Sequence, residues 1–135
     1  MKLDLEHIMI LLQRRYNVLR EIKRLTDELD EAVSRNDQVS VSLLLKMRAE
    51  EMDKSEACQE NIWLMAEEGP EEAQAVRKLL KSDPITARPS GSFEEQKIYE
   101  IRQKTIKLIK DIQEKDRNIN RRVGGDRSYY SKAGK

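Results

Sequence analysis

Glycine and proline are scarce in this chain of 135 residues, five and three respectively, and neither occurs before Gly69. The first half therefore lacks the two strongest helix breakers and can support very long helices. The same scarcity, beside abundant Glu, Lys, Arg, Leu and Ile, argues against a sandwich, a barrel or a doubly wound sheet and for an all-α protein. Histidine occurs once, as His7. That excludes the paired Glu-x-x-His motifs of helical di-iron sites and any His-rich zinc site. Cysteine also occurs once, as Cys58, so no internal disulfide can form. No N-terminal apolar run approaches a signal segment or a membrane span, and a cytoplasmic protein without membrane insertion is expected. No Gly-x-Gly-x-x-Gly, phosphate loop or nucleophile elbow is present. No catalytic residue, metal ligand or cofactor is assigned, and an enzyme is not expected.

Charge is plentiful: 38% of residues are Asp, Glu, Lys or Arg, and the net charge is only +1. It is segregated along the chain. Residues 50–72 hold nine acids against Lys54 alone, whereas residues 115–135 hold seven bases against two acids. Leu, Ile, Val and Phe make up about a quarter of the chain, enough to fold but with little apolar surplus.

The apolar residues are arranged with helical periodicity. Ile8, Leu11, Val18, Ile22, Leu25, Leu29 and Ala32 recur at alternating steps of three and four, with Arg15 in the one missing position. Leu12, Leu19 and Val33 widen this stripe, so the helix is expected to have partners on more than one side. Asn36-Asp37 breaks the phase, and the next stripe reads Val41, Leu44, Arg48, Met52, Ser55, Cys58, Ile62 and Met65. Asn36 suits a left-handed helix end and Asp37 suits the following cap, which predicts an antiparallel hairpin of helices over roughly 3–36 and 38–68. Gly69-Pro70 stops the second helix. A short helix over 71–82 carries acids at its start and bases at its end, as the helix dipole favours. After a loop over 83–91, Ser92-Phe93-Glu94-Glu95 reads as a capping box. A last long helix to about Val123 presents Ile98, Ile101, Thr105, Leu108, Ile112 and Ile119. Residues 1–123 thus form a helical domain, and 124–135, opened by Gly124-Gly125, are expected to be a flexible tail.

Several residues stand out chemically, each with an ordinary structural role beside the functional one. Cys58 lies on the apolar stripe and is expected to be a small core residue. Arg15 and Arg48 take stripe positions, where an aliphatic stem covers apolar surface while the head reaches solvent or an acid. Trp63 and Met65 are expected to pack in the core rather than form a partner contact. His7 is expected on the exposed face, and carboxylate pairs such as Glu56 with Glu60 or Glu67 with Glu71 on a solvated one. The basic end, with Tyr129 and Tyr130, combines cations with stacking rings, but its run is short and the acidic middle would repel phosphate. No nucleic acid partner is expected. With no chemistry to place, the wide stripe points to a protein that lends an amphipathic face to a partner helix.

Residues 8–66 resemble the long helical hairpin of flagellar type III export chaperones of the FlgN and FliT type. The resemblance is carried by LLQRRYNVLREIKRLTDELDEAVSRND with its Asp at the break, then LLLKMRAEEMDK, and later by IRQKTIKLIKDIQEKDRNI and the tail SYYSKAG. It implies a cytoplasmic chaperone that binds a helical terminal segment of a flagellar axial subunit, hook-associated or filament-cap, and delivers it to the cytosolic domain of the export gate. On it, Tyr129 and Tyr130 are the gate-docking residues. The partner-binding surface is assigned to the stripe of the last helix: Ile98, Ile101, Leu108, Ile112 and Ile119. The alternative is a coiled-coil structural adaptor that self-associates through its seam, as a homodimer for example, without a secretion role.

Overall fold

The computed structural model describes residues 3–84 and 91–123. It is all-α, with four helices and no strand among the described residues: α1 (Leu5–Ser34), α2 (Gln38–Leu64), α3 (Pro70–Lys81) and α4 (Phe93–Val123). The expected tail over 124–135 and most of the loop over 83–91 lie outside the described residues.

The helix ends follow from local chemistry. The side chain of Asp4 accepts from the backbone N–H of His7 at 3.0 Å, satisfying one of the free donors at the start of α1. α1 ends where Asn36 turns left-handed, with φ of 56°. There Asn36 N–H donates to the Val33 carbonyl and Asp37 N–H to that of Ala32, closing the last turn. Asp37 then caps α2, its carboxylate accepting from the backbone N–H of Ser40 at 3.1 Å and from the Ser40 hydroxyl at 2.6 Å. α2 is α-helical only to Leu64, and Met65–Glu68 tighten into a turn of 3-10 helix. The proline that opens α3 forbids helical backbone at the residue before it, and Gly69 is fully extended. At the start of α4, Ser92 Oγ accepts from Glu95 N–H at 3.3 Å, as the capping box predicts.

α1 is the central helix. α2 packs against it antiparallel, α3 reverses the chain at the base, and α4 returns alongside α1, parallel to it and near enough to α2 for direct side-chain contact. The core consequently has three levels. At the base, Ile8, Leu11 and Leu12 meet Ile62, Val76, Leu79, Ile98, Tyr99 and Ile101. In the middle, Leu19 and Ile22 meet Ile112, with Val18 and Leu108 packed beside them. At the top, Leu25, Leu29 and Ala32 meet Val41, Leu44 and Ile119. The extra width given to the α1 stripe by Leu12 and Leu19 is thereby explained, since α1 packs against both α2 and α4. Two buried hydroxyls are satisfied locally: Thr26 donates to the Ile22 carbonyl at 2.7 Å and Thr105 to that of Ile101 at 2.8 Å.

Polar ties fix α4 to the hairpin. Lys115 Nζ lies 3.6 Å from Asp27 and 3.5 Å from Asp30 on α1, and Arg122 pairs with Asp30. At the base, Arg102 donates to the carbonyls of Leu79, Leu80 and Ser82 at 2.7, 2.8 and 2.5 Å, closing the exposed C-terminal end of α3.

One stripe assignment is corrected. Met52 is 40% exposed rather than part of the α2 seam. The three-and-four rhythm through Val41, Leu44, Arg48, Ser55, Cys58 and Ile62 passes through position 51, not 52. Half-buried Glu51 occupies it and pairs with Lys54 at 3.0 Å, while Met52 is rotated about 100° off the seam.

Candidate partner-binding surface

The five α4 residues assigned to a partner form the contact of α4 with α1 in this structure. Ile98, Ile101, Ile112 and Ile119 are buried, and Leu108 is half-buried beside Leu19 and Ile22. Docking through that stripe would require α4 to leave α1. Tyr129 and Tyr130 lie outside the described residues. Of the basic end, Arg122 and Lys115 are engaged by Asp30 and Asp27, so part of that charge is neutralised within the fold.

The remaining singled-out residues are placed as follows. Cys58 is buried and free, and His7 is exposed. Trp63 and Met65 are half-buried and pack against the base of the core. Arg48 is buried and makes a two-point ion pair with Asp116 of α4, at 2.8 and 2.6 Å. This is the planar fork geometry that favours arginine over lysine. Arg15 is half-buried at the base of the cleft between α2 and α4. Among the described residues, no group of three or more His, Cys, Asp or Glu side chains is arranged to hold a metal ion. No helix there is long and apolar enough to cross a membrane.

Among the described residues, exposed apolar side chains are grouped in two places, with Met52 and Leu64 exposed besides. The first is an open groove of about 550 Å³ between the N-terminal halves of α1 and α4. Met9 and Ile101 form its floor. Its walls are Ile10, 44% exposed, and Phe93, 64% exposed. Arg14, Lys97 and Lys104 stand around the rim with Glu100 as the one acid. Lys97 bridges to Glu100 at 3.2 Å and sits 5.6 Å from the centre of the Phe93 ring, which holds that ring at the groove mouth. The groove exists because the Ser92 cap starts α4 with Phe93 beside the first turns of α1. Sequence reasoning missed both walls: Phe93 reads as part of a capping box, and Ile10 is one step off the α1 stripe. The available signal was that each is a large apolar residue assigned to no core stripe.

The second is the outer side of α2, where Val39, Leu43 and Met47 recur every four residues and all face solvent, Val39 at 80%. The interrupted α1 phase continues through Val39 and Leu43, so this file is visible in the sequence as the seam that α2 does not use inward.

Burial lowers the pKa of both Arg15 and Arg102. Tyr99 and Asp83 act against that shift at Arg102, and only Cys58 does so at Arg15. Comparison with known protein families, with curated proteins and with solved structures returns no match for this chain in any of the three.

Proposed function

We propose that this protein is a binding protein for an amphipathic helix of another protein, and specifically a flagellar type III export chaperone for a hook-associated or filament-cap subunit. The observation that carries the binding reading is the α1/α4 groove, an apolar trough with two exposed large side chains and a cationic rim. A segment presenting apolar residues at helical spacing, flanked by Asp or Glu, is complementary to it in shape and charge. Placing Ile10 and Phe93 in contact with such a segment removes apolar surface that the free chain leaves in water. The identity of the partner rests on the sequence resemblance: a helical terminal segment of the axial subunit occupies the groove, and Tyr129 and Tyr130 dock the loaded chaperone to the cytosolic domain of the export gate. Its place of action is then the cytoplasm.

The test is co-expression with hook-associated and filament-cap subunits, followed by sizing and calorimetry. A defined complex that is lost in the Ile10→Asp, Phe93→Asp double variant supports this reading, and no complex with any such subunit overturns the flagellar assignment. Removing residues 126–135 should leave subunit binding intact and weaken gate binding. Unchanged gate binding would remove the docking role of the tyrosines.

The α2 file favours a second reading, a self-associating adaptor. Val39, Leu43 and Met47 at steps of four give an isologous face that two copies could share about a two-fold axis. A dimer of the unliganded protein that dissociates on Leu43→Glu with Met47→Glu would support it.

A further inference from the structure

Below the Arg48–Asp116 bridge, residues of α1, α2 and α4 line a cleft of about 250 Å³ that Leu80 and Lys81 of α3 border at its lower end. Its lining is mixed: Leu12, Ile62, Ile106 and the Trp63 ring supply apolar walls, and Gln59 and Thr105 stand among them. Three cationic side chains, Arg15, Lys81 and Arg102, reach it, and no Asp or Glu lines it.

The three cations are not equivalent. Arg102 is committed to the carbonyls at the end of α3, and Lys81 rests 5.7 Å from the centre of the Trp63 ring, at the solvent edge. Arg15 has neither kind of engagement. Its Nε is buried without a hydrogen-bond partner, and among the described residues no carboxylate lies within ion-pair distance of its guanidinium. Elsewhere the fold answers its inward arginines: Arg48 has Asp116, and Arg102 has three carbonyls. A half-buried guanidinium against an apolar wall, with no counter-charge, is a standing electrostatic cost that one negative charge would relieve.

We propose that this cleft binds a carboxylate with an apolar body, the carboxylate forming a two-point ion pair with Arg15 and the apolar body lying against Trp63 and Ile62. The planar fork of the guanidinium matches a carboxylate, and Lys81 at the edge steers the anion inward. A small inorganic anion would leave the apolar walls uncovered. Two sources carry this chemistry: a free organic acid, or the terminal carboxylate of a bound polypeptide.

Trp63 is the only tryptophan, so intrinsic fluorescence reads the cleft directly. The full-length protein is titrated with hexanoate, hexanamide, inorganic phosphate, and a leucine-ended peptide in free-acid and amidated forms. Hexanoate should give a saturable change that hexanamide and phosphate do not reproduce. Arg15→Gln should weaken it about tenfold or more, with Arg15→Lys retaining part of the binding. If the free-acid peptide binds more tightly than hexanoate and the amidated peptide does not bind, the ligand is a chain end; tighter hexanoate binding identifies a free acid. The proposal is overturned by any one of three results: no saturable change with either carboxylate, equal binding of hexanamide or phosphate, or unchanged affinity in a folded Arg15→Gln variant. The comparison of hexanoate with hexanamide on the unaltered protein decides the matter even if Arg15→Gln does not fold.

Discussion

The Arg48–Asp116 pair shows how a charged residue on an apolar stripe is resolved. The stem of Arg48 fills a seam position of α2, and its head crosses to α4, where Asp116 receives it with side-chain exposures of 6% and 21%. Removing only the acid strands a buried cation. Asp116→Ala should therefore lower the unfolding free energy by about 3 kcal/mol, measured by urea denaturation. Replacing both at once, Arg48→Met with Asp116→Leu, should stay within about 1 kcal/mol of the parent, because desolvation and attraction nearly offset each other in such pairs. The structural role of Arg48 was legible from its stripe position. Its partner was not, since 68 residues separate the two and only the return of α4 brings them together.

Asp37 gives a pH prediction at the same scale. The hydroxyl and the backbone N–H of Ser40 both donate to its carboxylate and hold its pKa below the ordinary 3.8. A folded-state pKa below the unfolded one adds stability that is present above about pH 3.8 and is lost as the pH falls through the folded value. Asp37→Asn keeps a capping side chain but does not titrate. Thermal melts should therefore show the parent more stable than Asp37→Asn at neutral pH, with the difference shrinking as the pH falls below 3.8. A difference that does not change with pH would detach the cap from this explanation.

At the scale of elements, the hairpin was readable because its signals are local. A phase break, a residue tolerant of the left-handed region and a capping Asp occupy consecutive positions, and the structure uses each of them. Asn36→Gly should accordingly be tolerated. Asn36→Val, which places a β-branched residue at φ of 56°, should cost about 1–2 kcal/mol by thermal denaturation. The α2 seam was legible except at Met52, where choosing the apolar residue over the strict three-and-four step moved the assignment one place off the inward face. α2 carries a second file of apolar residues outside its seam, and only the seam meets α1. If the outer file of Val39, Leu43 and Met47 serves no intramolecular contact, Leu43→Glu with Met47→Glu should leave the melting temperature within a few degrees of the parent while changing any oligomeric state seen by light scattering.

At the scale of the whole molecule, the decisive feature is that α4 runs parallel to α1 and buries its own stripe there. Ile98, Ile101, Ile112 and Ile119 were recognisable as an apolar face from spacing alone. Whether a face meets its own chain or another protein depends on tertiary arrangement, which periodicity does not encode. The groove was illegible for the same reason: Ile10 and Phe93 are 83 positions apart and share a wall only once α3 has reversed the chain. What was readable in advance toward the site was the class, an amphipathic helical bundle. The location came from the packing of α4 on α1.

The central claim is that the α1/α4 groove receives an amphipathic helix. Calorimetric titration with the helical terminal segments of hook-associated and filament-cap subunits, against the parent and the Ile10→Asp, Phe93→Asp variant, tests it most directly. The account predicts saturable one-to-one binding of at least one segment to the parent, weakened about a hundredfold in the variant while its helicity and melting temperature are kept. No binding by any segment, or equal affinity for parent and variant, would contradict it.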